Sequence, residues 1–426
     1  MAFRISRPAR IAAATIATST CALAGNVFTV ATTGPADFAQ IQPAVDAAVD
    51  GDTILVKPGT YTGFVIDGKA LTVVGDVGTA PSIAGRVGIK NIALGQTLTM
   101  ARIQSQGINN TTERYGLEID DCAGALRFAH CRFTGRNGSA VVSNVGEVGV
   151  HVDTASNVGM AMCVMLGGSG ASSYTCLFDV VGLGSTGLHL ESASLVAHEC
   201  AVTGGHGGNG GDRTGSGGAG VFVQVASLFF GSRCTIIGGH GGNTDCSDWG
   251  TPADGGAGMG FGATSVVQLL GSTVLGGMGG VSLPTGPGAD HGEAFSSADP
   301  FVYGVPSLGF ATEAVAREGT TVDVTFTGEP GDQVYLNDAL STVFQGVPSW
   351  RGFVIAPFAS ANHPGAPRVR RWGVIPASGV LTKTYRVPAL PSGVEAQTRF
   401  LQAYRLHGTG LTLGSFATLT VLDSAF

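Results

Sequence analysis

Charged side chains are scarce in this sequence of 426 residues. Aspartate, glutamate, lysine and arginine together make up 12% of it, about half the share found in ordinary globular proteins. The formal net charge is -7, so a nucleic acid, whose phosphates need a positively charged surface, is not an expected partner. Hydrophobic residues reach 44%, which excludes an intrinsically disordered chain.

Long apolar segments and strong helix formers are also missing from most of the chain. After the N-terminus no apolar run reaches transmembrane length, so we expect no membrane span. Glycine, a poor helix former, occupies 68 positions, more than twice its ordinary share of about 7%. The glycines do not follow the G-X-Y period of collagen. The composition therefore favours an all-β architecture with many turns.

The N-terminus has the layout of a secretory signal peptide. Three arginines within the first ten residues precede a short apolar segment, and residues 22–24 (Ala-Leu-Ala) supply the small residues expected before a cleavage site. We therefore expect residues 1–24 to be removed and the protein to be secreted or held at the cell surface.

The middle of the chain repeats itself. Five units each open with a glycine before an alternating apolar segment: Gly116, Gly149, Gly187, Gly220 and Gly258. Each unit also contains a small residue at an equivalent later position: Cys131, Cys163, Cys200, Cys234 and Ser272. Period-2 strands that repeat between glycines without a helix predict a right-handed parallel β-helix, which is a solenoid. The cysteines should form a buried column within it, and Cys176 and Cys246 are better disulfide candidates.

A glycine-rich tail ends each unit, such as residues 204–219. We interpret these tails as loops that protrude from one edge of the solenoid, where glycine permits positive φ and close backbone approach. Residues 38–49 carry apolar side chains at helical spacing and predict a capping helix over the N-terminal end of the stack. Near residue 298 the repeat stops, and alternating strands without a repeat predict a C-terminal β-sandwich-like domain. The expected domains are a signal peptide (1–24), a β-helix (25–298) and this sandwich (299–426).

Residues 38–76 resemble the opening of pectin-lyase-fold proteins. The resemblance rests on the helical segment, a first strand, a Pro-Gly-Thr-Tyr turn at residues 58–61 and Val-Gly-Asp at residues 74–76. It implies an exported right-handed parallel β-helix. The catalytic segments of pectin methylesterases have no counterpart in this chain, so the resemblance implies no esterase activity.

Polar side chains should line an outer face of the repeat. The second and fourth residues after each opening glycine point away from the core, and in the first three units these are Glu118, Asp120, His151, Asp153, His189 and Glu191. In pectin-lyase-fold enzymes, acidic clusters on an outer face carry polysaccharide chemistry, so we take these six residues as the candidate catalytic site. The alternative is a strand face that is polar because it faces water.

No cofactor or metal is expected. His206 and His240 occupy equivalent loop positions, but the third unit has Met278 there, which leaves too few ligands for a closed metal site. Residues 207–212 match the start of a calcium-binding nonapeptide. The match occurs once, so Ca²⁺ is unsupported.

These features favour an exported, non-catalytic β-helix protein that binds a polysaccharide or a cell-surface partner. One alternative is a polysaccharide lyase or glycoside hydrolase that uses the acidic residues of the outer face. Another is a structural coat component.

Overall fold

A computed structural model describes residues 25–108, 114–139, 143–173, 181–211, 213–224, 226–244, 250–262, 264–282, 288–296, 301–303, 307–357, 369–408 and 410–426. The predicted signal peptide and the disulfide candidates Cys176 and Cys246 lie outside these residues.

The described chain contains one short α-helix, α1 (Ile41–Ala47), a 3-10 helix (Pro348–Trp350) and many strands. The strands of the first part are β1 (Val27–Val30), β2 (Thr53–Val56), β3 (Thr60–Asp67), β4 (Thr72–Gly75), β5 (Ser82–Lys90), β6 (Thr97–Ala101), β7 (Gln104–Gln106), β8 (Leu117–Cys122), β9 (Ala125–Ala129), β10 (Arg132–Thr134), β11 (Val150–Ala155), β12 (Val158–Ala161), β13 (Val164–Leu166), β14 (Leu188–Glu191), β15 (Ser194–His198), β16 (Ala201–Thr203), β17 (Val221–Val223), β18 (Leu228–Ser232), β19 (Thr235–Ile237), β20 (Met259–Phe261), β21 (Val266–Leu270), β22 (Thr273–Leu275) and β23 (Phe301–Tyr303). The strands of the second part are β24 (Gly309–Thr312), β25 (Val315–Arg317), β26 (Thr321–Thr327), β27 (Gln333–Ala339), β28 (Gln345–Val347), β29 (Gly352–Val354), β30 (Arg370–Val374), β31 (Val380–Arg386), β32 (Ala396–His407) and β33 (Gly410–Leu422).

Two large parallel sheets organise the first part. Sheet A has the order β1-β2-β4-β6-β9-β12-β15-β18-β21-β23, and sheet B has the order β20-β17-β14-β11-β8-β5-β7-β10-β13-β16-β19-β22, with β3 beside β5. From β8 to β19 each strand pairs with the strand three places later, as β8 does with β11 and β11 with β14. The protein is therefore all-β with large parallel sheets, an arrangement compatible with the predicted β-helix.

Inward side chains stack in columns across the repeat. The cysteine column is one of them, because Cys131, Cys163, Cys200 and Cys234 are all buried free thiols. The Cys131 thiol donates to the carbonyl oxygen of Met100 at 3.6 Å. Burial raises the pKa of the Cys163 thiol well above its usual range, which keeps it protonated and unreactive.

Single residues in the left-handed conformation turn the chain between strands. At one corner they are Arg102, His130, Met162, Glu199, Arg233 and Gly271. Most of them carry side chains, although this conformation costs a non-glycine residue about 1 kcal/mol or more. The stacked strands on both sides of each corner must therefore supply the stabilisation that holds it.

The described parts of the glycine-rich tails stack on one another in ordered layers. The N–H groups of Gly204, Gly207 and Gly210 donate to carbonyls of the next unit at 2.8–3.1 Å. The N–H groups of Gly205 and Gly208 donate to the carbonyls of Ser185 and Gly182 at 2.7 and 2.9 Å. These acceptors belong to the preceding unit, in the segment where its chain runs back in the opposite direction. Hydrogen bonds that repeat every three residues and go to neighbouring runs match a backbone of polyproline II type, which has three residues per turn and no internal hydrogen bonds.

Close approach, and not positive φ, explains the glycines of these layers. No described glycine between residues 107 and 258 has a positive φ. A Cβ atom added at Gly239 would lie 1.9 Å from the carbonyl oxygen of Gly205, and one at Gly207 would lie 1.6 Å from that of Gly215. Since real Cβ atoms do not come so close to a carbonyl, only glycine fits these positions, as at the axis of collagen.

The second part of the chain consists mainly of antiparallel sheets. One has the order β24-β26-β31 and the other β25-β33-β32-β27-β30. Apolar residues from both, such as Phe326 and Leu401, pack in one core cluster. The domain boundary between residues 298 and 299 stays a prediction, and β23 beyond it still pairs with β21.

The second part covers the outer face of sheet A. Phe416 packs there in one apolar cluster with Val196 and Phe230. The fully buried Arg127 of β9 donates to the Thr342 hydroxyl at 2.7 Å and to the Val343 carbonyl at 3.0 Å, and burial lowers its pKa to about 9. The C-terminal part of the chain thus covers the outer face of sheet A.

The steric account of the glycine layers predicts the outcome of single alanine substitutions. The Gly239→Ala variant should lose roughly 1–3 kcal/mol of unfolding free energy, because the new methyl group overlaps a backbone carbonyl that cannot move alone. Urea unfolding measures the loss. Gly288→Ala is the matched control in the same layers, since its nearest atom would lie at 3.5 Å. Equal stability of the two variants would contradict the account.

Candidate functional site

The structure brings the six predicted site residues together in two neighbouring columns on sheet B. In the parallel register His151 lies opposite both Glu118 and His189, and Asp153 lies opposite both Asp120 and Glu191. All six side chains are exposed or half-buried. The placement that we predicted for them from the repeat is therefore observed, whereas their catalytic role stays a prediction.

Aromatic rings continue the column of the two histidines in both directions. The ring of Tyr115 stacks on His151 at 5.3 Å between centroids, His151 meets His189 at 5.2 Å, and His189 meets Phe222 at 5.5 Å. We call Tyr115, His151, His189 and Phe222 the aromatic column. The rule for outward residues also places Phe222, the second residue after Gly220, on this face. It misses Tyr115, which precedes the opening glycine and lies outside the alternating strand.

The environment of His189 favours a neutral imidazole. Its pKa is lowered from 6.5 to about 4, first by burial and then by repulsion from His151, while Asp153 acts in the opposite direction. A ring that stays uncharged in weak acid serves as a stacking surface better than as a proton donor.

Three carboxylates run beside the aromatic column. Asp120, Asp153 and Glu191 form this acidic column, and within the described residues no lysine or arginine forms an ion pair with any of them. Glu118 differs, because it is ion-paired with Arg86. The acidic column therefore offers acceptors for hydroxyl or ammonium groups of a ligand.

The histidines of the glycine layers form a hydrogen-bonded stack. The rings of His206 and His240 are nearly parallel at 4.7 Å between centroids. The Nδ1 atom of His206 accepts the N–H of His240 at 3.0 Å, and the Nδ1 atom of His240 accepts the N–H of Met278 at 2.9 Å. Each Nδ1 atom is thus engaged with the backbone of the next unit, which gives these histidines a structural role.

A second group of polar residues lies in the C-terminal sheets, and sequence analysis missed it. The side-chain oxygen and nitrogen atoms of Glu329, Asp332 and His407 lie close enough together to hold a metal ion. However, Arg405 donates to the fully buried Asp332 carboxylate at 3.0 Å, and the Nδ1 atom of His407 lies 2.8 Å from it. The arginine already balances the charge of Asp332, so the group is explained as an internal ion-pair network.

Acid should weaken the fold through His189. Above pH 6.5 the His189 imidazole is neutral in both the folded and the unfolded chain, so its titration does not reduce the unfolding free energy there. As the pH falls from 6.5 towards about 4, the unfolded chain binds a proton that the folded chain does not bind, and the unfolding free energy decreases.

The His189→Phe variant tests this effect, because it keeps a ring in the column and removes the titrating group. It should lose less unfolding free energy than the parent protein between the two ends of this pH interval, as measured by urea unfolding. All other acid-titrating groups are common to both proteins. Equal losses would show that the column does not hold His189 neutral.

Within the described residues no helix has the length and apolarity needed to cross a membrane. The chain matches no protein-family model and no curated protein.

Proposed function

We propose that this protein is an exported, non-catalytic parallel β-helix protein that binds a polysaccharide along sheet B. The observation that carries the proposal is the aromatic column beside the acidic column on sheet B, where the side chains of both columns are exposed or half-buried. Rings present flat apolar surfaces, and carboxylates accept hydrogen bonds from hydroxyl groups. Each sugar of a polysaccharide has an apolar ring face, which can stack on the aromatic column, and hydroxyl groups, which can donate to the acidic column.

The geometry of the columns suits an extended polymer. Ring centroids follow each other at 5.2–5.5 Å, close to the spacing of neighbouring strands, about 4.8 Å. A chain that runs along the stack would meet a ring and a carboxylate in each of the first three units, and Phe222 with Gln224 in the fourth. Because the acidic column repels anions, we expect neutral or amino-sugar polysaccharides and not polyuronates.

The proposal includes the finer architecture inferred from the sequence. We propose a right-handed β-helix of the pectin-lyase type with α1 as its N-terminal cap and a C-terminal β-sandwich. Ile41 and Val45 of α1 are buried, which supports the capping role. Export through residues 1–24 belongs to the same proposal.

Binding assays with immobilised polysaccharides test the function. The His151→Ala and Phe222→Ala variants should each lose on the order of 1 kcal/mol of binding free energy, which is several-fold in affinity. Asp323→Ala is the control, since Asp323 is an exposed carboxylate of β26, far from both columns in the chain. If the parent protein retains none of a broad panel of neutral and basic polysaccharides, the proposed function is wrong.

A polysaccharide lyase or hydrolase remains the second candidate, because Asp120, Asp153 and Glu191 lie together without basic partners among the described residues. For an enzyme, product would accumulate during incubation with the bound polysaccharide, and the double variant Asp153→Ala with Glu191→Ala would abolish it. We expect retention without product formation.

A further inference from the structure

The last unit of the repeat ends in an open edge. β22 pairs with β19 on one side, and no described strand pairs with its other side. The glycine run after β22, residues 276–282, stacks on the preceding unit, where Gly277 donates its N–H to the Gly256 carbonyl at 2.8 Å. In that preceding unit the N–H groups of Gly238 and Thr244 donate forward, to Leu275 and Val281. At the equivalent positions of the last unit, no described carbonyl of a later unit accepts the N–H groups of Gly276 and Ser282, and the N–H of Gly279 donates to the Nδ1 atom of His291 at 3.0 Å.

Apolar side chains line this open edge. Leu275, Met278 and Val281 are 51%, 57% and 44% exposed. They follow the three-residue period of the glycine run, so they form one row. The equivalent positions of Met278 and Val281 in the preceding unit are His240 and Asn243. The last unit thus carries less polar residues at these two exposed positions than the unit before it, which is typical of a surface that is covered in the working protein.

We propose that two copies of this chain associate tail to tail through residues 273–282. The neighbour of this edge must itself be rich in glycine, because side chains at the packed positions of a run would overlap carbonyl oxygens of the adjacent run, as at Gly280, where a Cβ would lie 1.9 Å from the Gly242 carbonyl. A second copy supplies such a run. Antiparallel contact between runs already occurs within each layer, where Gly292 donates to the Gly277 carbonyl at 2.8 Å.

The two ends of the stack differ, and this determines the symmetry of the association. At the other end lies α1, where Val65 donates its N–H to Gln42 of the helix at 2.7 Å. The row of Leu275, Met278 and Val281 can meet an identical row in a two-fold arrangement, which closes as a dimer. A head-to-tail contact would place it against the unlike surface of α1 and would build open filaments.

Light scattering coupled to size-exclusion chromatography of the full chain, over a range of concentrations, tests the proposal. The parent protein should shift from the mass of one chain to that of two as its concentration rises. The double variant Met278→Asp with Val281→Asp should keep the mass of one chain, because four carboxylates would meet in the contact. Leu94→Asp, at a residue 86% exposed between β5 and β6, is the matched control and should dimerise as the parent does.

A cross-linking measurement locates the contact independently of any loss of folding. Under mild oxidation the Met278→Cys variant should form more covalent dimer than the parent, whereas the Leu94→Cys variant should not. A parent protein with the mass of one chain at every concentration would overturn the proposal. So would a dimer that persists in the double aspartate variant or one that Met278→Cys fails to cross-link.

Discussion

The in-register stacking of one unit on the next is the constraint on which the rest of this structure depends. Because each strand pairs in parallel with its equivalent in the following unit, every side-chain position becomes a column. The same rule produces the buried thiols, the aromatic rings on sheet B and the parallel imidazoles of the glycine layers. A property that a single residue lacks, such as a continuous stacking surface, then arises from repetition alone.

The repeat in the sequence predicts the buried cysteine column and the polar residues on the outer face of sheet B, but not the full aromatic column and not all the strands. The opening glycines place Glu118, His151 and His189 on one face from the sequence alone. The middle strand of each unit was missed because segments such as Ala125–Ala129 are buried along their whole length and show no period-2 alternation. Arg127 within it could not be interpreted, since its partners Thr342 and Val343 lie more than two hundred residues away.

The glycine layers show a second limit of reasoning from the sequence. Their period of three is visible in the letters, as Gly-Gly-His-Gly-Gly-Asn at residues 204–209, yet its meaning depends on neighbours in other units. Positive φ, the usual reason for glycine, is used at the corners by residues with side chains, such as Glu199 and Arg233. Within the glycine layers, glycine occupies the places where backbones touch. Which positions need a left-handed corner and which need close backbone approach becomes clear only when the units are stacked.

The glycine layers also bear on the resistance of the chain to proteolysis. A protease binds its substrate as an extended segment and pairs with the backbone N–H and C=O groups of that segment. In the layers these groups already bond to the runs on either side, as Gly205 does to Ser185 and Gly218 to Gly205. Glycine-rich segments are normally easy to cleave because they are flexible. In these layers a protease could pair with a peptide bond only after the whole segment had separated from its neighbours, so the layers should be poor substrates.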